Sequence, residues 1–98
     1  MILEAATFAI QSGRAAAFEA AFKQAIAIIA GAKGFIALEM QRSVDVPDHY
    51  LLLVKWQTYD DHMVGFRESP SFIEWRRLLG PYFAAPPQVE HYELFATG

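Results

Sequence analysis

No cysteine occurs anywhere in the 98 residues, which excludes disulfides, thiolate metal sites and cysteine nucleophiles. Long apolar runs are also missing. The longest purely apolar stretch, Ala25 to Ala30, is too short to span a membrane. Basic residues are few and scattered: 8 Lys and Arg against 11 Asp and Glu, for a net charge of −3. Without a basic stripe, nucleic acid is not an expected partner. Glycine-rich phosphate loops, Ser-His-Asp arrangements and nucleophile elbows are absent as well. The first residues carry Glu4 and no basic n-region, so they do not read as a secretory signal. These absences predict a soluble, cytoplasmic protein that uses neither nucleic acid nor membrane.

What the chain does have is apolar bulk. Its AVILMFWYC fraction is 54%, against roughly 45–50% on a closely similar count in ordinary soluble domains. A single domain over residues 1–98 is near the low end of sizes that fold on one core, and much of its surface stays exposed. The surplus therefore needs cover from outside, and a second subunit is the expected source.

Periodicity divides the chain into six elements. LEAATFAIQ (3–11) alternates, with Ala6, Phe8 and Ile10 on one face, and predicts a strand. Gly13 breaks the run, and Ser12 is placed to cap the next element. Residues 14–30 repeat Phe18, Phe22, Ile26 and Ile29 at helical spacing, predicting a helix with one buried stripe. GFIALEMQR (34–42) and HYLLLVKWQ (49–57) read as two strands joined by a loop containing Asp45, Pro47 and Asp48. In the third strand Tyr50, Leu52, Val54 and Trp56 line one face, and Leu51, Leu53 and Lys55 the other. A strand apolar on both faces implies that both are covered. Thr58 with Asp61 fits a capping box and predicts a helix starting near Tyr59. Ser69-Pro70 breaks that helix and restarts it, serine as cap and proline at the first helical position. QVEHYELFA (88–96) is a closing strand, with Val89, His91, Glu93 and Phe95 on one face.

The order β-α-β-β-α-β predicts an α+β, ferredoxin-like sandwich with a four-stranded antiparallel sheet and a second helix broken at Ser69-Pro70. Helices cover one sheet face. A second copy on the open face would give a homodimer, a dimeric α+β barrel.

Several segments then become familiar in combination: Trp56 ending the third strand, DHMVGFRESPSF (61–72), Trp75 with Arg76, and the closing P-x-V-E-H-Y (87–92). In this order and on this topology they resemble the antibiotic biosynthesis monooxygenase (ABM) domain family of small dimeric α+β barrels. That resemblance implies a cofactor-independent monooxygenase acting on a phenol, hydroquinone or polyketide-like aromatic, with no cofactor and the substrate supplying the electrons. The family also contains haem-degrading enzymes and members without established activity. The haem-degrading pattern calls for an asparagine, a tryptophan and a histidine where this chain has Gln11, Phe66 and Arg76. Haem degradation is disfavoured accordingly, although another histidine could ligate iron. A non-catalytic module holding a small hydrophobic ligand in the same cavity is the alternative function.

The candidate site residues lie mostly in residues 56–76. His62, Phe66 and Ser69 share one helical side. His62 is either a general base, its ordinary pKa lying near neutrality, or a capped histidine packed on Trp56. Arg67 either holds a phenolate or carboxylate, or pairs with Glu68, Glu74 or Asp61. Phe8, Phe66 and Trp75 would exclude water from the cavity. Trp56 and His91 are further candidates for contact with an aromatic ligand. As structural alternatives, Trp75 joins Phe72 and Leu79 in a core stripe, Trp56 closes the core, and Arg76 and Arg77 are solvated. His49, His62 and His91 have no metal-ligand spacing, so no metal is expected.

Overall fold

The computed structural model describes residues 1–98. Four strands, β1 (Ile2–Ala9), β2 (Phe35–Arg42), β3 (His49–Trp56) and β4 (Gln88–Tyr92), form one antiparallel sheet in the order β2-β3-β1-β4. Two helices, α1 (Ala15–Ala30) and α2 (Pro70–Leu79), pack on one face. This is the α+β ferredoxin-like arrangement that the element order predicts. No helix is long and apolar enough to cross a membrane.

Strand parity sets the layers, because alternate side chains point to opposite sides of a pleated sheet. Ala6, Phe8 and Ile10 face the helices together with Tyr50, Leu52, Val54 and Trp56, and all seven are buried. The registers Ala6↔Leu52 and Phe8↔Tyr50 put these rows side by side. Helix α1 answers them with Phe18, Phe22, Ala25 and Ile29. Here the expected stripe is corrected by one position: Ala25 is fully buried and Ile26 only partly, since a 3.6-residue repeat returns to its line after seven residues.

Other boundaries moved for local reasons. Strand β1 ends at Ala9, and Ile10 makes only an isolated bridge to Phe83. Ser12 does not cap α1; Arg14 occupies the cap position without a side-chain bond. Strand β4 stops at Tyr92, opposite Leu3, and its only partner β1 extends just one residue further, to Ile2. Glu93 and Phe95 therefore lie beyond the sheet, and Phe95 is 99% exposed.

The segment after β3 differs most from expectation. Thr58 Oγ1 does accept a hydrogen bond from the Asp61 N–H at 3.1 Å. The turn over Asp61–Phe66, however, is π-helical, and the Arg67 N–H donates to the His62 carbonyl at 2.9 Å. Such wide turns are uncommon and recur at functional sites. Both His62 and Phe66 point inward from it. Ser69 then caps α2, accepting from the Phe72 N–H at 3.3 Å, with Pro70 at the first position.

Gly34 anchors this turn. Its φ is +83°, and a Cβ placed there would lie 2.1 Å from Asp61 Oδ2. Both features oppose a side chain. Gly34→Ala should lower unfolding free energy by more than about 1 kcal/mol. A thermal melt with an unchanged midpoint would show that neither the positive φ nor Asp61 opposes a side chain at this position.

Candidate active site

Parity also delivers a charge to the apolar layer. Glu4 shares the inward face of Ala6 and Phe8, and is only 5% exposed. Its neighbours across the sheet are Val54 on β3 and His91 on β4. The Trp56 indole N–H donates to Glu4 Oε1 at 2.9 Å. From the π-helical turn, His62 brings Nε2 to 3.3 Å from the same oxygen. On the other side of the ring, His62 Nδ1 lies 2.8 Å from His91 Nε2. The chain Glu4–His62–His91 thus joins three elements distant in sequence.

Aromatic packing fixes it in place. The His62 ring stacks on Trp56, with centroids 5.1 Å apart and planes at 19°. Phe66 packs on His62 from the same turn at 6.4 Å. Tyr59 meets His91 edge-on at 4.7 Å. With its rotation limited in this way, His62 keeps both nitrogens on their partners.

Burial decides the protonation states. Glu4 is pushed up to about 7 by loss of water, an effect that the Trp56 bond and the charge of Arg67 only partly offset. His62 is pushed down to about 4, mainly by burial and then by His91 and Arg67. His91 is lowered by the same two influences, burial and Arg67. At neutral pH His62 is therefore an uncharged imidazole, and its contact with Glu4 is not a full ion pair. A neutral ring carries one N–H, so the Glu4 proton sets the direction of the chain. With Glu4 ionised, His62 turns Nε2–H toward it and accepts from His91. With Glu4 protonated, both relations reverse.

Glu4 and His62 open onto a cavity of about 950 Å³ between sheet and helices. That volume lies within the usual range for small-molecule sites. Phe8, Phe66, Phe72, Trp75 and Phe83 supply aromatic wall, and Arg67, Arg76 and Arg77 are also in the lining.

Of the residues singled out from sequence, His62, Arg67, Phe8, Phe66 and Trp75 come together on this wall. Trp56 and His91 do not line it. Trp56 is fully buried behind His62, and His91 is half-buried behind it on β4. His62 packs on Trp56 and also faces the cavity. Arg67 makes none of the surface pairs considered for it. Its guanidinium lies over the Phe72 ring at 5.2 Å, while Glu74 binds Arg77 at 2.8 Å. Gln11 ties the chain just beyond β1 to the segment after α2 by donating to the Pro81 and Phe83 carbonyls, each at 3.1 Å. Nowhere do three or more His, Asp or Glu side chains gather so as to hold a metal ion.

Sequence reasoning overlooked Glu4 as a site residue. The signal was present in its parity, since residues 4, 6, 8 and 10 form a single row and only the first is charged. A carboxylate in an otherwise apolar row marks either a buried partner or a function.

Comparison with known proteins decides the family. The family model for antibiotic biosynthesis monooxygenase matches residues 1–78. This chain belongs to the ABM family. The match ends before the closing P-x-V-E-H-Y segment, but likeness to a solved ABM structure extends further. A protein from Bordetella bronchiseptica, assigned to the same family, is 44% identical, covers 97% of each chain and superposes with a TM-score of 0.94. Protein YczJ of Bacillus subtilis, uncharacterized, is 42% identical over 93 residues, covering 95% of this chain and 98% of its own. SnoaB of Streptomyces nogalater, a cofactor-independent oxygenase, shares the ABM fold with a TM-score of 0.80 at 21% identity, over 98% of this chain and 94% of SnoaB.

Proposed function

We propose that this ABM protein is a cofactor-independent monooxygenase of a small, electron-rich aromatic such as a phenol, hydroquinone or polyketide-like ring. The observation that carries this reading is Glu4, a buried carboxylate with a pKa of about 7 at the polar end of an aromatic-walled cavity. A base works best when its pKa is close to the working pH. His62, first choice from sequence, is too weak a base alone at about 4. The base is therefore Glu4, with His62 and Trp56 holding its carboxylate in position. The 3.3 Å contact to His62 is long for proton transfer, and contacts of this kind tighten when ligand binds.

In this scheme Glu4 removes a proton from the acidic carbon or hydroxyl of the substrate. The resulting anion gives one electron to dioxygen, and the two radicals combine to a carbon–oxygen bond. Glu4 then returns its proton to the peroxide. One oxygen atom stays as a carbonyl, and the other leaves as water, which carries the proton that Glu4 removed and returned and the hydrogen still held by the oxidised carbon. Arg67 steadies the anion, and Phe8, Phe66 and Trp75 keep water away, which strengthens every charge interaction inside. Family membership and the cofactor-independent oxygenase SnoaB support this chemistry.

The test is oxygen uptake by the purified protein with a panel of hydroquinones and anthrones. Uptake that disappears in Glu4→Gln is the expected result. Ligand-induced tryptophan fluorescence changes without uptake across the panel would instead make the protein a binding module. A Soret band on haem titration would reopen the haem alternative.

The homodimer belongs to this proposal. Leu3, Ala5, Leu51 and Leu53 lie on the sheet face away from the helices and are only half-buried within one chain. A self-sufficient monomer of this mass exposes about 5,600 Å², whereas this chain exposes 6343 Å². A standard interface hides about 800 Å² per partner. Light scattering should give twice the 11.0 kDa chain mass, and Leu53→Asp should shift it toward one chain. A wild-type mass of one chain at micromolar concentration refutes the dimer.

A further inference from the structure

The cavity mouth carries more positive charge than steadying one substrate anion requires. Of the three arginines in the lining, Arg77 is engaged by Glu74 through two hydrogen bonds of 3.1 and 2.8 Å. Arg67 and Arg76 have no carboxylate partner. Both guanidiniums nonetheless lie over one ring, that of Phe72, at 5.2 and 5.9 Å from its centroid. The break at Ser69-Pro70 causes this convergence. It ends the π-helical segment at Arg67 and starts α2 on a new axis, so positions nine apart in sequence meet at one half-buried side chain.

Two like charges gathered at one ring, neither of them in a salt bridge, repel each other, and an anion that reaches both relieves that repulsion. The chain as a whole has a net charge of −3, so this positive rim runs against the overall balance and marks a local preference. The other titratable groups in the lining are Glu4 and the uncharged His62. A permanent anion is repelled there by an ionised Glu4. It is favoured at the mouth, where planar guanidinium forks match a carboxylate in two-point contact.

We propose that Arg67 and Arg76 form an anion clamp at the cavity mouth, and that the natural substrate is an aromatic carboxylate. Its ring lies against the wall that Phe66 and Trp75 form together, packed edge to face at 6.0 Å, and its reacting end points at Glu4. The inference rests on the cavity being the substrate site, as proposed above, and it extends the role of Arg67 to a residue, Arg76, that sequence alone reads as solvated.

The experiment measures binding and needs no turnover. Trp75 in the cavity wall reports occupancy through its fluorescence, with calorimetry as a second readout. The probes are 2-naphthoate and the matched neutral 2-naphthamide. In the wild type the carboxylate should bind at least about tenfold more tightly, with the gap narrowing as salt is raised. Arg67→Gln and Arg76→Gln should each narrow it, and the double variant should remove it while leaving amide affinity unchanged. Arg77→Gln is the control and should leave the gap as it is. All three side chains are exposed, so folding is not at stake, and circular dichroism verifies it. Equal affinities in the wild type, a preference that survives in the double variant, or no binding of either probe overturns the clamp. A carboxylate preference without oxygen uptake on any substrate would leave the clamp standing and remove only the oxygenase reading.

Discussion

Glu4→Gln should lower oxygen uptake by about 10²–10⁴-fold, the range a positioned general base contributes, with little change in KM. The amide keeps the shape of the carboxylate, and its oxygen can still accept the Trp56 N–H that now lies at 2.9 Å. What it loses is the ability to take a proton. Wild-type uptake should rise with pH through about 7 as Glu4 ionises, and that rise should be missing from the residual activity of the variant. Wild-type turnover in Glu4→Gln would remove the carboxylate from the reaction and leave the base unassigned.

Stability against pH should show the second large effect, and it requires no substrate. Glu4 is raised from 4.5 to about 7, so its contribution is fully present below pH 4.5 and is lost as pH rises through 7. His62 is lowered from 6.5 to about 4, so its contribution is present above pH 6.5 and is lost as pH falls through 4. Between pH 4.5 and 6.5 the two slopes are equal and opposite. The unfolded chain carries one proton on histidine there, and the folded pair carries one proton between its members. That count is the same whichever partner holds it, so the pair leaves stability flat.

Single substitutions break the balance. Glu4→Gln leaves His62 uncompensated, and stability should rise by about 3 kcal/mol between pH 4 and 6.5, at 1.36 kcal/mol per unit. His62→Phe keeps a ring against Trp56 and leaves Glu4 uncompensated, so stability should instead fall by a similar amount between pH 4.5 and 7. His91, also held below its ordinary value, adds a smaller loss on the acid side in every variant. Urea unfolding at several pH values measures the slopes. Parallel curves for the wild type and both variants would mean that Glu4 and His62 titrate independently of folding. Above pH 7 Glu4→Gln should also be more stable than the wild type, because a charge useful in the cavity is costly to bury.

The extent to which sequence anticipated the structure differs between elements. Strand β3 was readable because Tyr50, Leu52, Val54 and Trp56 repeat at a period of two, which no helix satisfies. The start of α2 was readable because Ser69 and Pro70 are chemically suited to cap and first-turn positions. The π-helical turn was not, since its i-to-i+5 bonds leave no composition signature. The end of β4 escaped for a similar reason. The alternation continues to Phe95, but the partner strand does not.

The same division runs through the site. Residue types and local spacing fixed the α+β element order, the alternation within each strand and the His62–Phe66–Arg67 cluster, because these follow from geometry within a few residues. Tertiary structure alone decided that Glu4 meets His62, that His91 stands behind it, and that Arg67 and Arg76 converge on Phe72. Those contacts join residues from separate elements. A pKa follows from the water removed and the charges brought near, and both are settled only when the chain closes around the group.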